Sequence, residues 1–378
     1  MLAICASIIF NFQFSTFNSV QAQDSSHIEL CVETRQFFQD NEFFGLHAVG
    51  YTLPGFYLRP HIEWSAKSGR WRVEAGVHWL HFWGARNYPS GQSMNVWPIE
   101  SDTTSAVHVL PWVRAEMGAP DGKWRVTMGN LRPHKLPLPL YNPERLYAAD
   151  PEAGMQVQLD YKHFDMDVWV DWREYIWQRS SRQERFTAGL TGEWRVESGE
   201  WGVRMPVHII GQHVGGQGLK EHLAVQNRFN GAVGLLGEWR VESGEWSVET
   251  GCYAMGFTQK NMPVVLYRRG LGIYPVISGE WRVKSGELFV DGGYWQGHGF
   301  VPLLGSVLFS NVGFVDGITY FGMNRMFNIG ARYSWQALEV GSISVEGRWY
   351  HYLERDHPSQ YTVGVFIDIN PRVTLWSK

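Results

Sequence analysis

Glu193-Trp194-Arg195-Val196-Glu197-Ser198-Gly199-Glu200-Trp201 recurs unchanged from Glu238 to Trp246. A third copy, ending Lys-Ser-Gly-Glu-Leu, runs from Glu280 to Leu288, and a looser one runs from Glu63 to Trp71. Each copy reads as a strand end, a Ser-Gly turn and a strand start. Tryptophans fall on one face and charges on the other. A soluble domain buries its tryptophans and wets its charges. Here both faces recur wherever a strand recurs, the pattern of a membrane β-barrel with an apolar outside and a polar inside.

The alternation extends outward from the repeat. Tyr361, Val363, Val365, Ile367 and Ile369 share one face of the last segment. Thr362, Gly364, Asp368 and Asn370 share the other, with Phe366 as the exception. Trp71, Val73, Ala75, Val77 and Trp79 alternate with Arg72, Glu74, Gly76 and His78. Asp165, Asp167 and Asp171 line the polar face of another segment, interrupted by Trp169. A period of two over such lengths is strand evidence. Short turns, such as Lys67-Ser68-Gly69 and Pro120-Asp121-Gly122, alternate with longer connections, such as Leu131 to Glu152 and Gly299 to Met323. The expected fold is an all-β, antiparallel, up-and-down transmembrane barrel of about 16 strands, 14 being possible, with short periplasmic turns and longer outer loops. The first strand is placed only loosely, between Cys31 and Tyr51.

Composition agrees. Aromatic residues make up 15% of the chain, and 19 residues are tryptophan, as suits a protein at a water–lipid boundary. Mean hydropathy is only -0.25, because half of every barrel strand faces water. The net charge of -4 argues against a nucleic-acid partner. Residues 1–22 read as a signal peptide cleaved after Ala22, leaving one barrel domain over residues 23–378. Cys31 and Cys252 remain in that domain, and a disulfide between them is disfavoured because Cys252 falls on a lipid-facing position.

Trp64, Trp71, Trp194, Trp201, Trp239, Trp246 and Trp281 flank short turns and are expected to form a girdle at one membrane interface. The inner face is expected to be pore-lining. It carries Arg59, Glu63, Arg72, Glu74, Arg114, Glu116, Asp165, Asp167, Asp171, Arg173, Arg204, Glu249, Arg332, Glu346, Arg348, Asp368 and Arg372. Barrels of this width are not filled by their wall side chains alone, so a hydrated path of weak ion selectivity is expected. The loop from Gly299 to Met323 holds Leu303, Leu304, Val307, Leu308 and Phe309. So apolar a loop needs covering. It folds inward as a constriction, forms a further hairpin or contacts a partner. The other long loop holds Pro133, Pro137, Pro139 and Pro143 and is stiff.

Chemistry is sparse. No metal spacing among histidine and cysteine, no Gly-x-Ser-x-Gly and no phosphate loop appears, so no metal, cofactor or catalytic residue is expected. His81, His213, His298 and Asp356 fall near the outer rim with no serine clearly paired to them.

Phe37-Phe38-Gln39-Asp40-Asn41-Glu42-Phe43-Phe44-Gly45, followed by Gly50-Tyr51-Thr52-Leu53-Pro54-Gly55-Phe56, resembles the start of a group of largely uncharacterised porin-like outer-membrane proteins of Gram-negative bacteria. Gly76 to Leu80 and Gln183 to Gly189 fit as well. The resemblance covers most of the mature chain and implies an outer-membrane barrel. It transfers no catalytic residue. The resulting expectation is a non-enzymatic, porin-like channel for small hydrophilic solutes, in contact with the bilayer and lipopolysaccharide. Its rivals are a blocked barrel holding a surface lipoprotein or glycan and, third, an outer-membrane enzyme.

Overall fold

Alternating sequence gives long strands, and the computed structural model shows how they close. The structure describes residues 25–44, 47–84, 107–176, 183–215, 225–241, 245–261, 267–283, 286–313, 319–354 and 358–378. The expected signal peptide, Asp356, Glu242-Ser243-Gly244 and Lys284-Ser285 lie outside them. The strands are β1 (His27–Phe44), β2 (Val49–Ser65), β3 (Trp71–Phe82), β4 (Val107–Gly118), β5 (Trp124–Asn130), β6 (Ala153–Tyr161) and β7 (Phe164–Glu174). Next come β8 (Glu184–Ser198), β9 (Trp201–Gly215), β10 (Gln226–Arg240), β11 (Trp246–Lys260), β12 (Arg269–Val283) and β13 (Gly286–His298). A two-residue ribbon, β14 (Val312–Gly313) with β15 (Thr319–Tyr320), precedes β16 (Asn324–Leu338), β17 (Gly341–Tyr352), β18 (Ser359–Ile369) and β19 (Arg372–Ser377). One helical turn, α1 (Arg145–Ala148), lies between β5 and β6.

Every neighbouring pair is antiparallel. The sheet has 17 segments. β18 and β19 are one strand interrupted at Asn370-Pro371, since both pair with β1 in sequence. Counting that pair once leaves 17 − 1 = 16 staves. β1 closes the barrel: it meets β2 on one edge, and β18 and β19 on the other, with Thr34 opposite Ile369 and His27 opposite Ser377. Closure removes the unpaired edges that a bilayer cannot satisfy. The first strand thus begins four residues before Cys31, the earliest start expected from sequence.

The outward positions are apolar and open. Leu271 is 73% exposed, Val109 62% and Leu235 59%, a wall suited to lipid. No helix among the described residues is long and apolar enough to cross a membrane; the crossing elements are strands. Gly69 and Gly199 take positive φ at the short turns, as the Ser-Gly reading requires. Gly286 does not. It sits in the β12–β13 ladder opposite Val283. Cys31 is buried on β1 and Cys252 is half-buried on β11, and both are free thiols.

Candidate functional site

Every inward charge named from sequence meets an opposite charge. Arg59 pairs with Glu33 at 2.8 Å and Arg72 with Glu63 at 2.5 Å. Glu74 accepts from Arg114 at 3.3 Å and lies 3.3 Å from the Arg72 guanidinium. Glu116 pairs with Arg132 at 2.5 Å and lies 4.0 Å from Arg125. Asp165 meets Arg195 at 3.0 Å, and Asp171 meets Arg173 at 2.5 Å. Arg204 pairs with Glu193 at 3.1 Å and also with Glu249. Arg332 pairs with Glu346, and Arg348 with Asp291 at 2.6 Å. Asp368 accepts a two-pronged contact from Arg35 at 2.7 and 3.0 Å. Arg372 reaches Glu63 at 3.5 Å. Arg35, Glu33 and Arg132 were not singled out from sequence. The first two sit on the strand whose position was open, and the third is on a loop.

Two loops fill the long-loop end of the lumen. In the one between β13 and β16, Leu303 and Phe309 are fully buried, and Leu304, Val307 and Leu308 are buried. They pack on Trp295, Tyr274, Met326, Tyr350 and Tyr352 from the wall. The loop's backbone needs partners inside the barrel, and wall amides supply them. Asn230 of β10 donates to the Val301 carbonyl at 3.0 Å and accepts from the Leu303 N–H at 2.7 Å. Asn324 donates to the Leu308 and Ser310 carbonyls at 3.0 and 2.8 Å. The Tyr352 hydroxyl donates to Leu308 at 2.9 Å, and His47 to Ser310 at 2.7 Å. The β5–β6 loop joins this one through a parallel bridge between Tyr141 and Leu304. The stiff, proline-rich loop is therefore folded inward too, and its Leu140 is fully buried.

The β5–β6 loop is latched by charge. His134 lies 2.8 Å from Asp167 and 3.0 Å from Glu152, with one nitrogen on each. Its ring stacks on Trp169, centroids 4.0 Å apart. Burial alone would lower its pKa. The hydrogen bonds to Asp167 and Glu152 overcome that and hold it up at about 9. Burial pushes the Glu152 carboxyl up, and the hydrogen bond and charge of His134, with Arg145 and Arg173, take it below its ordinary range. The two aromatic exceptions to the alternation are thus anchors. Trp169 holds His134, and Phe366 packs on Tyr147 of α1 at 5.2 Å. Gly189 makes room for Trp169, since a Cβ there would sit 2.2 Å from the indole.

Beside this plug lies a cavity of about 200 Å³. Arg35, Arg59, Arg114, Arg132, Arg145 and Arg332 line it with Asp150, Glu152 and Glu346. Trp112 faces it, with the Arg59 and Arg114 guanidiniums 3.8 and 4.7 Å from its ring centre.

On the outer wall, Trp64, Trp71, Trp194, Trp201 and Trp281 are exposed at the short-turn end. Trp239 stacks on Trp201 at 5.6 Å and meets Trp246 edge-on at 4.7 Å. At the opposite rim, His81 packs on Phe56, His213 binds Asn227 at 2.8 Å, and His298 donates to the Gly322 carbonyl. Among the described residues, the imidazole that meets a serine hydroxyl is another one. His351 Nδ1 lies 3.2 Å from the Ser359 hydroxyl oxygen. The two are cross-strand partners on β17 and β18, on the parity of the exposed Trp349 and Tyr361. They therefore stand on the lipid-facing wall at the long-loop end. Trp349 stacks on His351 at 5.2 Å, and the carbonyl of Pro358, before Ser359, accepts from the Tyr352 N–H at 2.7 Å. Sequence reasoning missed the pair because eight residues separate them. Continuing the parity of both strands to a common register would have found it.

The fold is shared with solved outer-membrane barrels. OmpT of Vibrio cholerae lacking loop L8 superposes with a TM-score of 0.51 and 8% identity, over 92% of this chain and all of that one. In-vitro folded OmpT of Vibrio cholerae gives 0.50 and 8%, over 91% of this chain and all of the other. The protein accordingly has the closed antiparallel fold of bacterial outer-membrane β-barrels. The chain matches no curated protein. A family model described as lipid A 3'-O-deacylase-type matches residues 20–378. That is an enzyme family, which overturns the expectation of a non-enzymatic barrel and narrows the resemblance to porin-like proteins to the barrel itself. Matched over nearly its whole length, the chain belongs to the lipid A 3'-O-deacylase-type family.

Proposed function

We propose that this protein is an ester hydrolase of the outer leaflet, removing an acyl chain from a lipid A-like glycolipid. The observation that carries this reading is the family match over residues 20–378. Access then selects the wall. A lipid held in the leaflet cannot pass a hydrogen-bonded barrel of 16 staves, so its ester meets the outer face. There His351 and Ser359 supply a base and a nucleophile. With Nδ1 unprotonated, His351 takes the Ser359 proton as the hydroxyl oxygen attacks the ester carbonyl, and returns it to the departing sugar alcohol. Water then releases the fatty acid from Ser359. Phe327, opposite His351, joins Trp349 and Tyr361 as an apolar floor for the chain. The outward tryptophans at the other end act as the inner-boundary girdle that sets the barrel's depth.

The test is mass spectrometry of lipid A after incubation with the purified protein in mixed micelles. Wild type should release a fatty acid, and Ser359→Ala or His351→Ala should slow release by about 10²–10⁴-fold. Absence of release by folded wild type, or full activity in both variants, sinks the reading.

The Arg-lined cavity favours a second reading, a gated channel for small anionic solutes. In it Leu303, Leu304, Val307, Leu308 and Phe309 are the constriction, and the lumen ion pairs line the path. Planar-bilayer conductance decides. Steps that grow on deleting residues 303–309 support a channel. Silence in both forms removes it.

A further inference from the structure

The β1–β2 hairpin carries a side-chain cluster that neither the plug nor the rim uses. Cys31 and His61 are direct cross-strand partners, and Glu63 stands two residues beyond His61 on the same face. Cys31 is 1% exposed, His61 2% and Glu63 3%. The Cys31 sulfur, a ring nitrogen of His61 and a Glu63 oxygen all lie within 4.8 Å of one another. His27, Glu29 and Glu63 form an adjoining group of the same closeness.

His61 adds an independent observation. Its Nδ1 lies 3.2 Å from the Arg59 carbonyl. A carbonyl only accepts, so Nδ1 carries the proton and Nε2 the lone pair. Nε2 is buried and has no hydrogen-bond partner. An imidazole turned this way by a backbone carbonyl is the tautomer that binds a metal through its other nitrogen.

We propose that Cys31, His61 and Glu63 form a site for a thiophilic divalent cation, with Zn²⁺ the best fit. One sulfur, one nitrogen and one carboxylate oxygen suit zinc, whereas calcium and magnesium take oxygen ligands. Three ligands leave the fourth tetrahedral position to water or to Glu29. Charge permits it. Arg72 and Arg372 lie 2.5 and 3.5 Å from Glu63, and Arg372 lies 3.7 Å from Glu29. Two guanidiniums therefore offset two carboxylates. On binding, the thiol gives its proton to solvent, so the ion adds one net positive charge. Cys31 also faces Arg372 across the closing seam. The ion would bridge β1 and β2 where the first strand meets the last.

The test uses the refolded barrel in detergent, stripped by a chelator and titrated with Co²⁺ as a spectroscopic probe. The expected result is one equivalent of Co²⁺ with a near-ultraviolet thiolate band, displaced by Zn²⁺. The band should persist in the Cys5→Ser, Cys252→Ser double variant, which keeps Cys31 as its sole thiol, and His61→Ala should weaken binding more than about 10-fold. Heat-modifiable migration on gels checks that each variant is folded. No thiolate band in folded wild type, or a band lost in the double variant, overturns the proposal. So does undiminished affinity in folded His61→Ala.

Discussion

The β5–β6 loop and the β13–β16 loop both enter the lumen, and they are held there by opposite chemistry. The first is latched by an imidazolium between two carboxylates, His134 between Asp167 and Glu152. The second is clasped by neutral groups, the amides of Asn230 and Asn324 and the Tyr352 hydroxyl, around buried leucine and phenylalanine. Both solve the same problem, since backbone and side chains taken off water need partners. The difference is that one loop is held by an imidazole shared between two carboxylates, and the other chiefly by amides, a hydroxyl and apolar packing, with the His47 imidazole on the Ser310 carbonyl.

That contrast can be broken from either side. The largest effect is expected from His134→Ala, which leaves Asp167 and Glu152 buried without their shared cation, a loss of about 3–5 kcal/mol. Residues 131–152 should become open to protease while 299–313 stay protected; equal protection of both loops would show that the latch holds nothing. Phe309→Ala should do the reverse. It empties a site packed by Tyr274 and Trp295 at a cost of about 3 kcal/mol, read by hydrogen exchange in the β13–β16 loop. Asn230→Ala removes one donor and one acceptor from that loop and should cost about 2 kcal/mol, read the same way.

pH sharpens the comparison without mutation. The His134 pKa is raised from 6.5 to about 9 in the folded state. Its contribution is therefore complete below 6.5 and is lost as pH rises through about 9. Glu152 is lowered from 4.5, so its contribution is present above 4.5 and is lost as pH falls through its folded value. Exchange in the β5–β6 loop should be slowest between these limits and quicken on the alkaline side, with the β13–β16 loop unchanged after correction for intrinsic exchange. A pH-independent difference between the loops would remove the latch from the account. The smallest effect is expected from Trp169→Leu, which forfeits the stack on His134 at about 1 kcal/mol and should move the alkaline limit downward.

The wall was legible because its code is local. Each residue's parity states its face, and the inward arginines and acids fall where alternation puts them. Even the two exceptions were visible as exceptions. Their meaning was not, because Trp169 and Phe366 answer to loop residues far away in sequence. The same limit hid the rim pair. His351 and Ser359 belong to different strands, and only the β17–β18 register sets one against the other. The family was hidden for a related reason: no short catalytic phrase such as Gly-x-Ser-x-Gly marks it.

By itself, the sequence determined an antiparallel barrel of about 16 strands, its apolar outside and charged inside, and the alternation of short turns with long loops. Each follows from a period of two and from turn chemistry, which act over neighbouring residues. Tertiary structure decided the rest: closure of β1 on β18 and β19, the inward fall of two loops, the His134 latch and the meeting of Cys31 with His61. These depend on strand register and on packing across the lumen, where partners such as Thr34 and Ile369 are brought together by the shape of the whole barrel.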